Sequence, residues 1–267
     1  MLGILGGMGP LATVDFMRKL TLATRAERDQ DHLPVIVWNV PQIPDRTAAI
    51  MGTGPSPYPG LAQAARCLKE LGAQRCVMPC NTAHHWVEEL EREVRLPFVH
   101  IADAVIARLR ANGIKPADRV VVLSTRGTIQ SGFYRTRLSA AGFMQHQPTD
   151  AQGCLIDAVI GYVKAGRLGQ ATDVLRDVVE TLIADGAQWI VLACTELPLV
   201  APKSKGLVDA TQALAEEAVL RMIADGERLA SANSLATNKK ENRREAQGAM
   251  GASVARRRGH DVAREDA

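Results

Sequence analysis

The sequence predicts an α/β fold of parallel sheets, built as two halves related by duplication. Short apolar runs alternate with amphipathic helical stretches along most of the chain. The segment from Gly72 to Cys80 recurs as Gly186 to Cys194, at an offset of 114 residues. In both copies a glycine ends a helix, a strand follows, and a cysteine stands at the strand's end.

Strands are expected over 2–6, 34–40, 75–79, 97–101, 119–124 and 188–193. Helices are expected over 11–28, 58–71, 83–93, 102–112, 131–141, 152–165, 168–185 and 209–226. Short buried strands separated by helices imply parallel sheets covered on both faces. The first strand leads into a glycine-rich turn, Gly6-Gly7-Met8-Gly9-Pro10. Pro10 suits the first helical position, where a missing N–H costs nothing. Free backbone N–H groups in this turn can hold a carboxylate, which makes Met8 and Gly9 candidate substrate contacts. The same residues also satisfy a dinucleotide-binding fingerprint with alanine last, Gly7 through Ala12. That fingerprint expects an acidic residue at the end of the second strand, whereas the run Pro34 to Val40 is followed by Pro41-Gln42.

A second, weaker echo relates Ile4-Leu5-Gly6-Gly7-Met8-Gly9 to Val122-Leu123-Ser124-Thr125-Arg126-Gly127, at an offset of 118. Two duplicated α/β halves explain both matches. Ligands in open α/β sheets bind at the carboxyl ends of strands, and both Cys80 and Cys194 occupy that position. If the halves face each other, the two thiols point into one cleft.

Composition narrows the function classes. The chain has 267 residues, 46% of them hydrophobic, but only 4% aromatic, so its core is expected to be aliphatic. Residues 231–267 carry eight Lys/Arg and five Asp/Glu, which is the whole formal surplus of +3. The remainder is balanced, with no basic excess that points to nucleic acid, and a small-molecule substrate is expected instead. No apolar run reaches the length of a membrane span, and the N-terminus lacks a signal-peptide pattern. Five scattered cysteines, an odd number, suggest free thiols in a reducing cytoplasm. Residues 231–267 lack a sustained apolar stripe and read as a disordered tail, with Arg256-Arg257-Arg258 either solvated or touching an acidic partner.

Two cysteines facing one carbon suit racemisation. That reaction removes hydrogen from Cα on one face and returns it on the other, so each group acts as base in one direction and acid in the other. A thiol serves both roles because its unperturbed pKa of about 8.5 is only modestly above neutral. A helix N-terminus after each cysteine is expected to lower that pKa. Cys67, Cys76 and Cys154 read as small packing residues. His84 and His85 stand near Cys80; they read as a pair at a helix start, with one of them a candidate for the cleft wall. No further ligands at suitable spacing support a metal site.

The motifs Leu5-Gly6-Gly7-Met8-Gly9-Pro10, Pro44-Asp45-Arg46-Thr47, Pro79-Cys80-Asn81-Thr82-Ala83-His84, Ser124-Thr125-Arg126-Gly127-Thr128 and Leu192-Ala193-Cys194-Thr195-Glu196 follow one another along the chain. In these residues the sequence resembles the aspartate/glutamate racemase superfamily, most closely its aspartate racemase branch, over roughly 1–230. The resemblance implies two flavodoxin-like domains related by a pseudo-two-fold axis, with the active site between them. The halves are drawn as 1–102 plus 203–230, and 103–202. It also implies racemisation without pyridoxal phosphate, metal or any other cofactor, and a homodimer. Cys80 and Cys194 match the family's acid/base pair, with Cys194 serving the L-enantiomer and Cys80 the D-enantiomer. Arg46 matches a residue that binds a substrate carboxylate, and Lys164 a second cation. Asn81, Thr82, Thr125 and Thr195 match polar residues lining the site.

Three functions are therefore carried forward. The first is interconversion of L- and D-aspartate, or of the glutamate pair. These substrates differ by one methylene, worth only about 1–3 kcal/mol in discrimination, and the sequence does not choose between them. The second is cis–trans isomerisation of maleate, with one cysteine adding to the double bond. The third is a non-catalytic amino-acid or nucleotide binding module.

Overall fold

Aliphatic residues with few polar interruptions set the central strands. Strand β1 (Leu2–Gly6) and strand β4 (Val120–Leu123) are buried along their whole length. Each is the second strand of its sheet, flanked on both sides by other strands, which is why neither shows the alternation of a half-exposed strand. The computed structural model describes residues 1–226, of which Met1–Met222 form one compact unit. The 231–267 segment, read as a tail, lies outside the described residues.

Chain order is β1, α1 (Pro10–Ala23), β2 (Val35–Asn39), α2 (Arg46–Ile50), α3 (Tyr58–Glu70), β3 (Arg75–Val77), α4 (Val87–Val94) and α5 (Ile101–Ala111). It continues with β4, α6 (Arg126–Ser131), α7 (Phe133–Ala140), β5 (Gln145–His146), α8 (Asp150–Lys164), α9 (Leu168–Ala184), β6 (Trp189–Leu192) and β7 (Leu207–Asp209). A helix over 210–226, α10, follows. The sheets run β2-β1-β3 and β5-β4-β6-β7, and every pairing is parallel. The fold class is the α/β arrangement that the sequence predicts.

The two sheets are paired in equivalent register. Leu2 faces Arg75 in one, and Val120 faces Trp189 in the other. These pairs are related by the two offsets seen in the sequence, 118 for β1 and β4 and 114 for β3 and β6. The equivalence extends to the helix ends before β3 and β6. Gly72 (φ 95) donates to Lys69 O and Gly186 (φ 89) to Ile183 O, while the next residues, Ala73 and Ala187, reach back to Leu68 O and Leu182 O. This paired pattern satisfies the last free carbonyls of a helix and needs a left-handed residue, hence glycine in both places.

Several expected elements differ. The 97–101 strand is reduced to one bridge, Phe98 with Cys76, because His100 caps α5 by accepting from Ala102 N (3.2 Å) and starts the helix at Ile101. Its counterpart in the second sheet is β7, three residues bonded to β6 and too short to signal itself by periodicity. The boundary drawn at 202/203 falls just before this strand. The expected 131–141 helix forms as α7, and Gly132 (φ 72) separates it from α6, which lies ahead of the expected range. The expected start of α4 is tightened into a 3-10 turn, Thr82–Trp86. Helix α1 ends at Ala23 rather than 28, because Thr24 turns extended and both its N–H and its hydroxyl bond Leu20 O.

One apolar core joins the sheets: Leu2, Ile4 and Val77 pack in the same cluster as Val120, Val122, Val191 and Val208, with Leu214 and Ala218 of α10. Among the described residues, no helix is long and apolar enough to cross a membrane.

His84 and His100 are buried within this framework, ring centroids 4.8 Å apart. His84 Nδ1 accepts from Ile101 N (3.3 Å), so its proton sits on Nε2, which donates to Met78 O (2.9 Å). Burial, reinforced by nearby Arg137, pushes the His84 pKa down to about 4; burial, His84 and Arg137 push His100 down to about 2. Both rings are therefore neutral in the fold. A folded pKa below the unfolded value near 6.5 means that the unfolded chain binds the proton first as pH falls. The stabilisation is complete above about pH 6.5 and is lost towards pH 4, by about 3 kcal/mol for His84 alone. We expect Tm to drop by roughly 5–10 °C more between pH 6.5 and 4 in the wild-type protein than in His84→Gln, measured by calorimetry. Parallel Tm curves for the two proteins would contradict this account.

Candidate active site

The carboxyl ends of strands from both sheets supply the loops of one cavity, as expected for open α/β sheets. After β1 the chain turns at Gly7 (φ 102), where a Cβ would lie 2.4 Å from the Val40 backbone. Gly7 N donates to the Thr13 hydroxyl (2.9 Å), and that hydroxyl donates to Gly9 O (3.1 Å). The first turn of α1 thus holds Met8 and Gly9 in place, with Pro10 at the helix start as the sequence predicts.

After β2, Asp45 caps α2 by accepting from Ala48 N (2.7 Å), and Arg46 is the helix's first residue. Arg46 Nη1 donates to Ile43 O (3.2 Å) and Pro44 O (3.1 Å), and Nη2 donates to Met8 O (3.3 Å). Nε is buried and has no partner, which leaves its hydrogen for an acceptor from outside the chain. Helix α2 is seated against α6, where a Cβ on Gly127 would come within 2.8 Å of Thr47 Cα.

Cys80, Asn81 and Thr82 follow β3 and are buried. Asn81 Oδ1 accepts from the Tyr134 hydroxyl (2.7 Å), which burial keeps protonated by pushing its pKa well up. The amide is thereby oriented, and its buried nitrogen has no partner. Thr82, Thr125 and Thr128 form a triangle of hydroxyls, 2.8, 3.0 and 3.1 Å apart, that ties the loop after β3 to the start of α6.

Cys194 follows β6. Its thiol donates to Glu196 Oε2 (3.0 Å), which also accepts from the Thr195 hydroxyl (3.3 Å). Burial pushes the Cys194 pKa well above the ordinary thiol value, and the charge and hydrogen bond of Glu196 push it further, with Lys164 pulling weakly the other way. This corrects the expectation of a helix-lowered pKa at Cys194. Only a three-residue 3-10 turn, Leu197–Leu199, follows it, and a carboxylate stands against the sulfur.

Lys164 is the last residue of α8. Gly166 N bonds Val163 O and Arg167 N bonds Tyr162 O, closing that helix and leaving Lys164 at the cavity rim.

The cavity is tight, with about 20 Å³ of water-accessible space. Met8, Arg46, Cys80, Asn81, Thr82, Thr125, Lys164, Cys194 and Thr195, all singled out from the sequence, line it. Gly9 lines a larger cavity adjoining it. Asp45, Thr47 and Glu196 also line the wall and received no role in the sequence reading, although they stand beside Arg46 and Thr195 in the quoted motifs. His84 and His85 stand apart from it, and His84 serves packing instead. Strand β2 ends in Asn39, an amide where the dinucleotide fingerprint wants a carboxylate.

A sequence model described as Asp/Glu/Hydantoin racemase matches residues 5–218. The chain belongs to this family. It is 28% identical over 238 residues to the broad specificity amino-acid racemase RacX of Bacillus subtilis, covering 84% of this chain and 99% of that protein. Among solved structures, the Picrophilus torridus aspartate racemase superimposes with a TM-score of 0.73 at 32% identity, over 83% of this chain and 93% of that one. A glutamate racemase from Francisella tularensis, in complex with D-glutamate, shares the fold at 14% identity, with a TM-score of 0.60 over 84% of this chain and 81% of that one. The family's named members here are isomerases of amino acids.

Proposed function

We propose that this chain is a cofactor-independent amino-acid racemase in which Cys80 and Cys194 exchange protons at Cα from opposite faces. The observation that carries this reading is a shared cavity: two thiols from equivalent strand ends of two sheets line it, together with two buried, unpartnered donors, Arg46 Nε and Asn81 Nδ2. Unpartnered buried donors call for an acceptor, and an amino-acid carboxylate supplies one. Arg46 takes a carboxylate through its unpartnered Nε, and Lys164 adds a second positive charge. With aspartate or glutamate, the α- and side-chain carboxylates divide between these groups and Asn81. One cysteine, as thiolate, removes the Cα hydrogen while the other, as thiol, delivers one to the opposite face. Cys194 serves the L-enantiomer and Cys80 the D-enantiomer, so both are substrates.

On this reading the protein converts pure L- or D-aspartate, or the glutamate pair, to the racemate with hydroxylamine and a chelator present. Deuterium from heavy water enters Cα at a matching rate. Binding without solvent exchange would favour a binding module, and a cysteine adduct with maleate would favour the isomerase.

A homodimer is part of the proposal. Val14 and Leu22 on α1 are exposed, as are Val37 and Trp38 on the edge strand β2, and an unpaired apolar edge invites a partner. The division into two duplicated halves is supported by the equivalent registers, and a cytoplasmic setting by free Cys67, Cys76, Cys80, Cys154 and Cys194.

A further inference from the structure

A second cavity borders the first. The two share Met8, Asp45, Arg46, Lys164 and Glu196. The outer one is larger, with about 580 Å³ of water-accessible space against about 20 Å³. Every ionisable side chain on its wall stands at the shared boundary. Beyond that boundary the wall is Pro10, Leu11, Ala12, Pro41, Ile43 and Val163, and the rest is glycine. The inner cavity has the opposite character, with hydroxyls, an amide, thiols and charges.

This division sorts the parts of an amino acid. The ammonium, the α-carboxylate and Cα need the polar inner cavity. A side-chain carboxylate is satisfied at the boundary by Arg46 or Lys164 and gains nothing beyond it. An apolar side chain finds no matching surface among the threonines, and finds one outside. Gly9 lines the outer cavity, and a Cβ there would approach Glu196 Oε1, on the shared wall, to 3.2 Å.

We infer that the outer cavity is a side-chain subsite, and that the substrate range extends beyond the acidic pair to α-amino acids with long apolar side chains, such as leucine and methionine. The inference rests on the racemase reading and adds to it. Each methylene moved from water onto such a wall is worth about fourfold in binding. Leu11 is the residue to alter. It lies in the first turn of α1, is half-exposed, and reaches the outer cavity only, so a larger side chain there fills the subsite without opening the core.

The test is kcat/KM of the full chain for L-alanine, L-aspartate, L-leucine and L-methionine, followed by chiral chromatography, with wild type, Leu11→Trp and Leu11→Asp. The aspartate variant keeps the fold, because an acidic residue in a first helical turn is favourable, and it places a charge in the subsite. The expected result is methionine and leucine used at least about tenfold better than alanine by the wild type. Both variants then lower the methionine-to-alanine ratio by about tenfold. Racemisation of aspartate or alanine with leucine and methionine no better than alanine would overturn the subsite and leave the racemase reading standing. So would an equal loss for all four substrates in Leu11→Trp, which marks an entrance and not a subsite. Failure of the wild type to racemise any of them would overturn the racemase reading itself.

Discussion

Cys80→Ala and Cys194→Ala each lower racemisation by roughly 100- to 10,000-fold, the usual contribution of a positioned acid or base. The two losses are alike in size but differ in what survives. With Cys194 removed, Cys80 still reaches one face of Cα. It can take hydrogen from the enantiomer that presents it there and return deuterium to that same face. Exchange without inversion then continues for one enantiomer and stops for the other. Cys80→Ala shows the reverse preference. Both thiols are buried and line the same cavity, so neither loss has a substitute from solvent. The measurement is Cα deuteration of pure L- and pure D-aspartate in heavy water, read by nuclear magnetic resonance and chiral chromatography. Near wild-type racemisation in either variant, or equal exchange of both enantiomers, would sink the two-base mechanism.

Glu196→Gln lowers kcat by about 100-fold and leaves KM within a few-fold, since the carboxylate acts on the cysteine and not on the bulk of the substrate. The argument starts from the 3.0 Å contact between Cys194 Sγ and Glu196 Oε2. A carboxylate at that distance disfavours a thiolate, and burial disfavours it more, so Cys194 rests as a thiol. As an acid it is ready. As a base it must first lose its proton, and Glu196 is the acceptor within reach. Glutamine keeps the shape but cannot take that proton. It also removes the negative charge that holds the thiol's pKa up. The sign of the second effect is therefore opposite to the first: racemisation falls while Cys194 ionises more easily. Alkylation of Cys194 by iodoacetamide, followed by mass spectrometry across pH, has its midpoint at lower pH in the variant than in the wild type. Unchanged kcat would remove Glu196 from the mechanism. A loss of kcat with an unmoved alkylation midpoint would mean that only packing was disturbed.

Much of the architecture was legible in the sequence because it is local or repeated. Gly72 and Gly186 announced two helix ends, and both adopt the left-handed conformation that requires glycine. Offsets of 114 and 118 related segments that became equivalent strands of the two sheets, and those strands pair in equivalent register. Strands β5 and β7 and helices α2 and α6 were missed, since elements of two to six residues carry too little period to stand out without a flanking apolar run. Position 98 had strand-like neighbours and became a single bridge once His100 capped the next helix. Arg46 and Lys164 entered the reading through the family resemblance. Nothing local to either residue marks it, since one begins a short helix and the other ends a long one.

By itself the sequence determined the α/β class, the duplicated strand ends and the two cysteines that stand on them, since these depend on neighbours along the chain. Tertiary structure decided how Cys194 is tuned. The sequence led us to expect a lowered thiol pKa from a following helix, and at Cys194 the fold produces a raised one. It also decided that Arg46 Nε and the nitrogen of Asn81 are buried without partners, and that an apolar cavity adjoins the polar one. The physical reason is that desolvation and Coulomb interaction act through space. Both depend on which side chains converge once distant loops are packed together, and neither is recorded in spacing along the chain.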